Sequence, residues 1–411
     1  MKLSTFLNKR RLHEYPYLFL GTMLVIFILN IILHQGWIGG TGNVLGTDFI
    51  TLYAAGLINR TNPEQLYDFN AQRAMQETLI APTPLPGLNP FISPPYVAFA
   101  YSFLTYLPLP WSLALWSGLT LIFVFLAMLC ITQYFPRIDG LNRRQLIVVS
   151  LSFMPFFVGF QAGQNHAITL VLVTGILAAA FREKWFLAGT LAGGLIYKPQ
   201  LAIGLLIVWL VWRNTKALMG FVTIALVWIC PYVIIHGFDP MRTYFEISKE
   251  LLLLPFIEGF PGYLLTTLHG LVSSVMLAST AETINLLSQA VFVLVGGFLG
   301  WCAYQQRKQA NSPQIPIVVL AVITPLAFSP YVQFHDLLLL VPAFTAWGVY
   351  DRSQPILWAA VVTYLGAFLL LPLSALTGIA WVAILPIGLC LAAFWRMHGK
   401  NSRMTWEQGI Q

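Results

Sequence analysis

Charge is what this chain has least of. Only 9% of its 411 residues are charged, against about 25% in a soluble globular domain. That scarcity excludes an ordinary soluble enzyme. A β-barrel is excluded as well: its strands alternate polar and apolar residues, and runs such as Leu201–Trp212 do not. There is no Asp-x-Asp pair to hold a metal-bound nucleotide sugar. Cysteines number four. Cys130, Cys230, Cys302 and Cys390 lie far apart inside apolar runs, without metal spacing or a disulfide framework. They read as small apolar packing residues, and no metal and no cofactor is expected.

What is present is long apolar runs. The chain is 58% hydrophobic, with a mean hydropathy of +0.74. It reads as an all-α polytopic integral membrane protein, with residues 1–411 as a single membrane domain. A net charge of +7 could suit nucleic acid. The basic residues instead form short clusters between apolar runs, the mark of a cytoplasmic membrane face. No nucleic-acid partner is expected; the lipid bilayer is.

The clusters set the topology. Lys2, Lys9, Arg10 and Arg11 precede the run Pro16–Leu33. That run is longer than the core of a signal peptide and has no small-x-small site after it, so it reads as a retained first helix. A polar, Pro-rich stretch over 35–93 follows as a first extracytoplasmic loop. If 94–134 makes one net crossing, with 94–107 a short entering helix, then 17 of the 22 Lys and Arg residues fall inside. These include Arg137, Arg352, Lys400 and Arg403. The arrangement predicts about twelve crossings, both termini cytoplasmic, and a second outer loop over 237–284. It also bends 185–212 into a hairpin at Lys198-Pro199, since one straight helix would put Lys198 at mid-bilayer.

This topology gathers polar residues at the outer face. Asp48, Arg60, Asp68 and Arg73 lie in the first loop, and Gln164, Asn165 and His166 in a later turn. Lys198, His236, Asp239, Arg242, Lys249, Gln333, His335 and Asp336 complete the set. Ionisable residues near membrane depth are costly and usually functional. Phe49–Ile58 has the spacing of an amphipathic helix, and a second helix is predicted over about 63–80, starting at Pro63. Two such surface helices would cover a lipid-facing cavity.

The order of motifs resembles glycosyltransferase family 87, membrane enzymes with the C-type glycosyltransferase fold. The pieces are Gly46-Thr47-Asp48-Phe49 with Tyr53-Ala54-Ala55, Asn62-Pro63 with Leu66-Tyr67-Asp68, and Ser93-Pro94-Pro95-Tyr96. Then come Leu107-Pro108-Leu109-Pro110 with Leu115-Trp116, Gly163-Gln164-Asn165, Lys198-Pro199-Gln200, and Ser329-Pro330-Tyr331 with His335-Asp336. The resemblance runs from residue 15 to about 350. It implies transfer of a monosaccharide, most often mannose, from a polyprenyl-phosphate donor to a hydroxyl of a glycolipid or glycan. Asp48 matches the family's base, an aspartate in the first outer loop. Tyr53, Gln164, Asn165, His335 and Asp336 would meet substrate. The chain has Gln333-Phe334-His335-Asp336 where family members vary, some with a His pair.

The chemistry agrees without the family. Displacing a lipid phosphate from an anomeric carbon needs a base for the acceptor hydroxyl, which Asp48 can supply. It needs a cation for the leaving phosphate, which Lys198 can supply, helped by Arg242 or Arg60. It needs an apolar groove for the polyprenyl chain. One displacement would invert the anomeric centre.

Each residue also has a plainer reading. Asp48 could be the N-cap of a helix starting at Phe49, and Lys198 could snorkel beside a Pro-broken helix. Gln164 and Asn165 could close a tight turn. His335 and Asp336 could be a solvated pair. His166 and His236 read as interface residues, and Asp68 as a cap. A secondary transporter or lipid-linked sugar flippase would have a similar span count, but no repeat relates the two halves. A glycan polymerase using diphosphate donors should need more arginine.

Overall fold

The computed structural model describes residues 9–135, 143–256, 260–276, 280–309, 314–350 and 354–398. Lys2, Arg137, Arg352, Lys400 and Arg403 lie outside them. The described chain is helical throughout, with no β-strand among the described residues.

The first span is α1 (Lys9–Ile32). Two helices follow in the first loop, α2 (Thr47–Thr61) and α3 (Phe69–Ile80). Asp68 caps α3, accepting from the backbone N–H groups of Asn70 and Ala71, as the sequence predicts. The second predicted helix is therefore shorter than expected, with only a 3₁₀ turn over Pro63–Gln65. The short entering helix is α4 (Pro95–Ser102). It lies against α2, and a Cβ on Gly56 would run into the backbone of Tyr101 and Ser102. After a 3₁₀ turn, α5 (Leu109–Tyr134) starts just past Pro108, which cannot continue a helix.

Next come α6 (Arg143–Ser152), α7 (Met154–Ala162), α8 (His166–Phe181), α9 (Trp185–Gly193), α10 (Pro199–Trp212) and α11 (Thr215–His236). The sequence reads 145–161 as one run, but α6 and α7 meet at 63°. Pro155 is the reason: it has no N–H to continue the ladder, and Phe153 is extended. The second outer stretch holds α12 (Asp239–Ile247) and α13 (Leu268–Ser273). The chain closes with α14 (Ala281–Arg307), α15 (Ile315–Phe328), α16 (Leu340–Tyr350), α17 (Gln354–Thr377) and α18 (Ile384–His398).

Among the described residues, five helices are long and apolar enough to cross a membrane: His13–Ile32 of α1, α5, α11, α14 and Trp358–Thr377 of α17. The bent pair α6–α7 is a sixth if it is one broken span. Six further apolar helices run 10–17 residues, short of the roughly 20 that an upright crossing needs. Length alone thus supports five or six spans, and the expected twelve requires those shorter helices to cross too.

The main core gathers α5–α10 and α14–α18 around α15, every residue of which is buried. A helix apolar on all sides suits a protein core or a membrane, and here neighbouring helices cover it. A second, smaller core lies under the first loop, where Phe49, Tyr53, Tyr96, Tyr101, Trp116 and Tyr232 pack together. Asn59, the asparagine of an Asn-Arg-Thr glycosylation sequence, is buried there and accepts from the Tyr232 hydroxyl at 3.3 Å.

Candidate active site

Two glycines bring the site together. Gly46 (φ +67°) is the N-cap of α2, and Gly163 (φ +71°) ends α7. Both are left-handed, a conformation that favours glycine. A Cβ on Gly163 would strike Phe49, and one on Gly46 would crowd Leu113. The Gly46 amide donates to Gln161 O (3.1 Å), and Trp116 Nε1 donates to Gly163 O (2.9 Å). The start of α2 is thereby pressed against the α7–α8 turn.

Asp48 falls in the first turn of α2. It is not the N-cap: the helix starts at Thr47, before Asp48 rather than after it, and no side chain caps it. Its carboxylate instead accepts from Asn89 Nδ2 at 2.7 Å. Burial lifts its proton affinity above the ordinary carboxylate range. Hydrogen bonds from Asn89 and Gln164, and the nearby Lys198 charge, work against that rise.

Lys198 stands where the helix breaks between α9 and α10. It precedes Pro199, which disfavours helical geometry at Lys198 and opens α10 at its first position. A helix break stands at Lys198, between the 3₁₀ turn Gly194–Tyr197 and α10. Lys198 does not snorkel to solvent. Its Nζ meets Asp336 Oδ1 at 2.7 Å and His335 Nε2 at 3.4 Å. Side-chain exposures of 14% and 3% make this a buried ion pair. His335 and Asp336 are thus not a solvated loop pair, and both are buried in the 3₁₀ turn Phe334–Leu339 that precedes α16.

The preceding loop is tied down from both sides. Gln200 Nε2 donates to Tyr331 O (3.0 Å), and Thr266 N donates to Val332 O (3.0 Å). Gln333 Nε2 donates to the Tyr331 hydroxyl (2.6 Å). Burial raises the Tyr331 hydroxyl well above the usual phenol range, and the carboxylates of Asp48 and Asp336 add to the rise.

These groups line one cavity. Asp48, Asn89, Gln164, Asn165, Lys198, Tyr331, His335 and Asp336 are in its wall, with Tyr197, Tyr244 and Phe260 beside them. Its space, counted with the solvent at its mouth, is about 880 Å³. Four α-helices begin at this wall: α2 with Asp48 in its first turn, α4 after Pro94, α8 after Asn165 and α10 after Lys198. Helix N-termini present free N–H groups and favour anions.

Three residues expected at the site stand elsewhere. Arg60 lies over the Tyr106 ring, 4.5 Å from its centroid. Arg242 is exposed and pairs with Glu246 one turn away, at 3.2 Å. Tyr53 is buried and donates to Leu107 O at 2.7 Å. None of the three is in the cavity wall. His166, expected at an interface, is fully buried behind the site, with its ring centroid 6.0 Å from that of His335.

Sequence reasoning missed Asn89 and gave Tyr331 no part. The only signal for Asn89 is an Asn-Pro turn dipeptide, which does not point to Asp48. Among the described residues, no group of three His, Cys, Asp or Glu side chains is set to hold a metal.

The sequence model of glycosyltransferase family 87 matches residues 91–330. Gln164, Asn165 and Lys198 lie inside the match; Asp48, Asn89, His335 and Asp336 flank it. No curated protein and no solved structure matches the chain. Because the match spans more than half of its residues, the chain belongs to glycosyltransferase family 87.

Proposed function

We infer that the protein transfers a monosaccharide, mannose being the first to try, from a polyprenyl-phosphate donor to a hydroxyl of a glycolipid or glycan. The observation that carries this reading is the placement of Asp48 and the Lys198–Asp336–His335 group in one cavity wall where four helices begin. In the reaction the acceptor oxygen bonds to the anomeric carbon and gives its proton to Asp48. The carbon–oxygen bond to phosphate breaks, and its electron pair leaves with the phosphate. Lys198 and helix N–H groups meet that leaving group. A single displacement inverts the anomeric centre and calls for no metal and no cofactor.

The charge of the wall favours this donor over more anionic ones. Among the described residues, Lys198 is the one Lys or Arg in the wall, and it is already paired with Asp336; Asp48 is a second carboxylate. A sugar phosphodiester brings one negative charge to such a site, whereas a diphosphate or nucleotide sugar brings more. Arg60 and Arg242 stand outside the wall and have no part in this scheme.

The proposed setting is the cell membrane with the cavity on the extracytoplasmic side. All these wall residues come from segments that the basic clusters place opposite the cytoplasm. Twelve crossings fit that sidedness, with the bilayer thinned around each short apolar helix. Family membership favours transfer over the transporter or flippase reading.

The test is transfer by purified protein in liposomes, with a membrane glycolipid extract as acceptor. Polyprenyl-phosphate sugars are compared with polyprenyl-diphosphate sugars and nucleotide sugars. Transfer from the monophosphate lipids alone is expected; transfer from a nucleotide sugar in the absence of lipid donor would overturn the reading.

A further inference from the structure

We propose that Asn89 is the positioning residue for Asp48, holding one carboxylate oxygen so that the other is presented to the acceptor hydroxyl. This rests on the reading of Asp48 as the base.

The local architecture is more than a loop needs. Asn89 reaches Asp48 from 41 residues away, and its amide donates at 2.7 Å. Its own carbonyl is held twice, by Thr51 Oγ1 at 3.0 Å and Gln76 Nε2 at 2.8 Å. Thr51 lies one turn after Asp48 on α2, so Asn89 is tied to the same helix through both its backbone and its side chain. Two residues on, Phe91 N donates to Gln72 Oε1 at 2.7 Å, and Gln72 Nε2 donates to Phe91 O at 3.2 Å. Gln72 and Gln76 sit four apart, on one face of α3, and are only 1% and 2% exposed. Buried amides need partners, and here those partners are the backbone of residues 89–91, with Leu66 O also accepting from Gln72 Nε2 at 2.8 Å. The surface helix α3 thus acts as a brace for Asn89, and Asn89 for the carboxylate.

An amide donor has two effects on a base. It fixes the rotamer, which sets the approach of the acceptor. It also stabilises the charged form, opposing the effect of burial together with Gln164 and the Lys198 charge. A residue that only closed the loop would have the first effect at most.

The test is the pH profile of kcat for Asn89→Leu and Asn89→Asp. Both keep the shape of the side chain and remove the donor, and the second adds a negative charge. The acidic limb is expected to move to higher pH by about one unit in Asn89→Leu, and further in Asn89→Asp. Donor KM should change little, and activity should recover on the alkaline side. Asn89→Gln, which returns an amide, should recover part of the shift. If Asn89→Leu does not fold, the isosteric Asn89→Asp carries the test alone. A uniform loss with an unmoved limb would overturn the proposal while leaving the base in place. Turnover by Asp48→Asn would remove the base assignment itself, and the role of Asn89 with it.

Discussion

Lys198 Nζ meets Asp336 Oδ1 at 2.7 Å across 138 residues of chain. The contact joins the residue before α10 to the turn before α16, so the one cation that the described residues give the cavity wall is held by a partner. On the proposed reading, a phosphate arriving there would compete with Asp336 for the ammonium group. Buried ion pairs are weak stability devices but costly to break on one side.

That asymmetry separates stability from function. Lys198→Ala or Asp336→Ala leaves a buried charge unpaired, and each should cost about 3–5 kcal/mol. The double replacement Lys198→Met with Asp336→Leu should recover most of that stability without recovering transfer. Thermal unfolding in detergent and transfer in liposomes read the two quantities independently. A double variant that regained transfer would show that Lys198 serves packing rather than phosphate.

The raised proton affinity of Asp48 fixes the sign of the pH response. The ionised form is the base, so kcat should fall as pH drops through the folded-state pKa. That fall should lie above the ~3.9 of a free aspartate. The stability effect runs the other way. The folded protein holds the Asp48 proton more tightly than the unfolded chain does, so the stabilisation is present at low pH and lost as pH rises through the folded value. Asp48→Asn has no charge to bury and should melt at a higher temperature than the wild type at neutral pH. A kcat profile flat down to pH 4 would contradict the assignment.

Close helix packing places Lys198 as well. A Cβ on Gly204, midway along α10, would run into the carbonyl oxygen of Ala321 on the fully buried α15. Gly204→Val should therefore push α10 away, cost about 1–3 kcal/mol and raise the donor KM through the displaced Lys198. Gly297→Ala in α14 is the control, since its Cβ would meet nothing within 4 Å. It should be neutral or stabilise by ~0.5–1 kcal/mol. Unfolding temperatures and donor titrations check both.

What the sequence reveals here is what local chemistry controls. Asp68 caps α3 because a short acidic side chain before a helix has backbone N–H groups to satisfy. The helix breaks at Lys198 because proline restricts the residue before it. The break between α6 and α7 was equally local, since Pro155 marks it, but the apolar run masked it. Arg60 was expected at the site although it follows Asp48 by twelve residues on one helix, a rise of about 18 Å. Asn89 was not legible because its bond to Asp48 joins an irregular loop to a helix start. No periodicity encodes such a contact. The placement of His166 behind His335 has the same origin, in packing between α8 and the turn before α16.

The central claim is that Asp48 takes the proton of the acceptor. Its most direct test is the turnover of Asp48→Asn in liposomes, with a polyprenyl-phosphate sugar as donor and a glycolipid extract as acceptor, beside the wild type. The account predicts a folded, inserted protein that still binds donor and transfers at least about 10²-fold more slowly, the lower range of a general base's contribution. Turnover near the wild-type rate would contradict it and move the base elsewhere in the cavity wall, Asp336 being the other carboxylate there among the described residues.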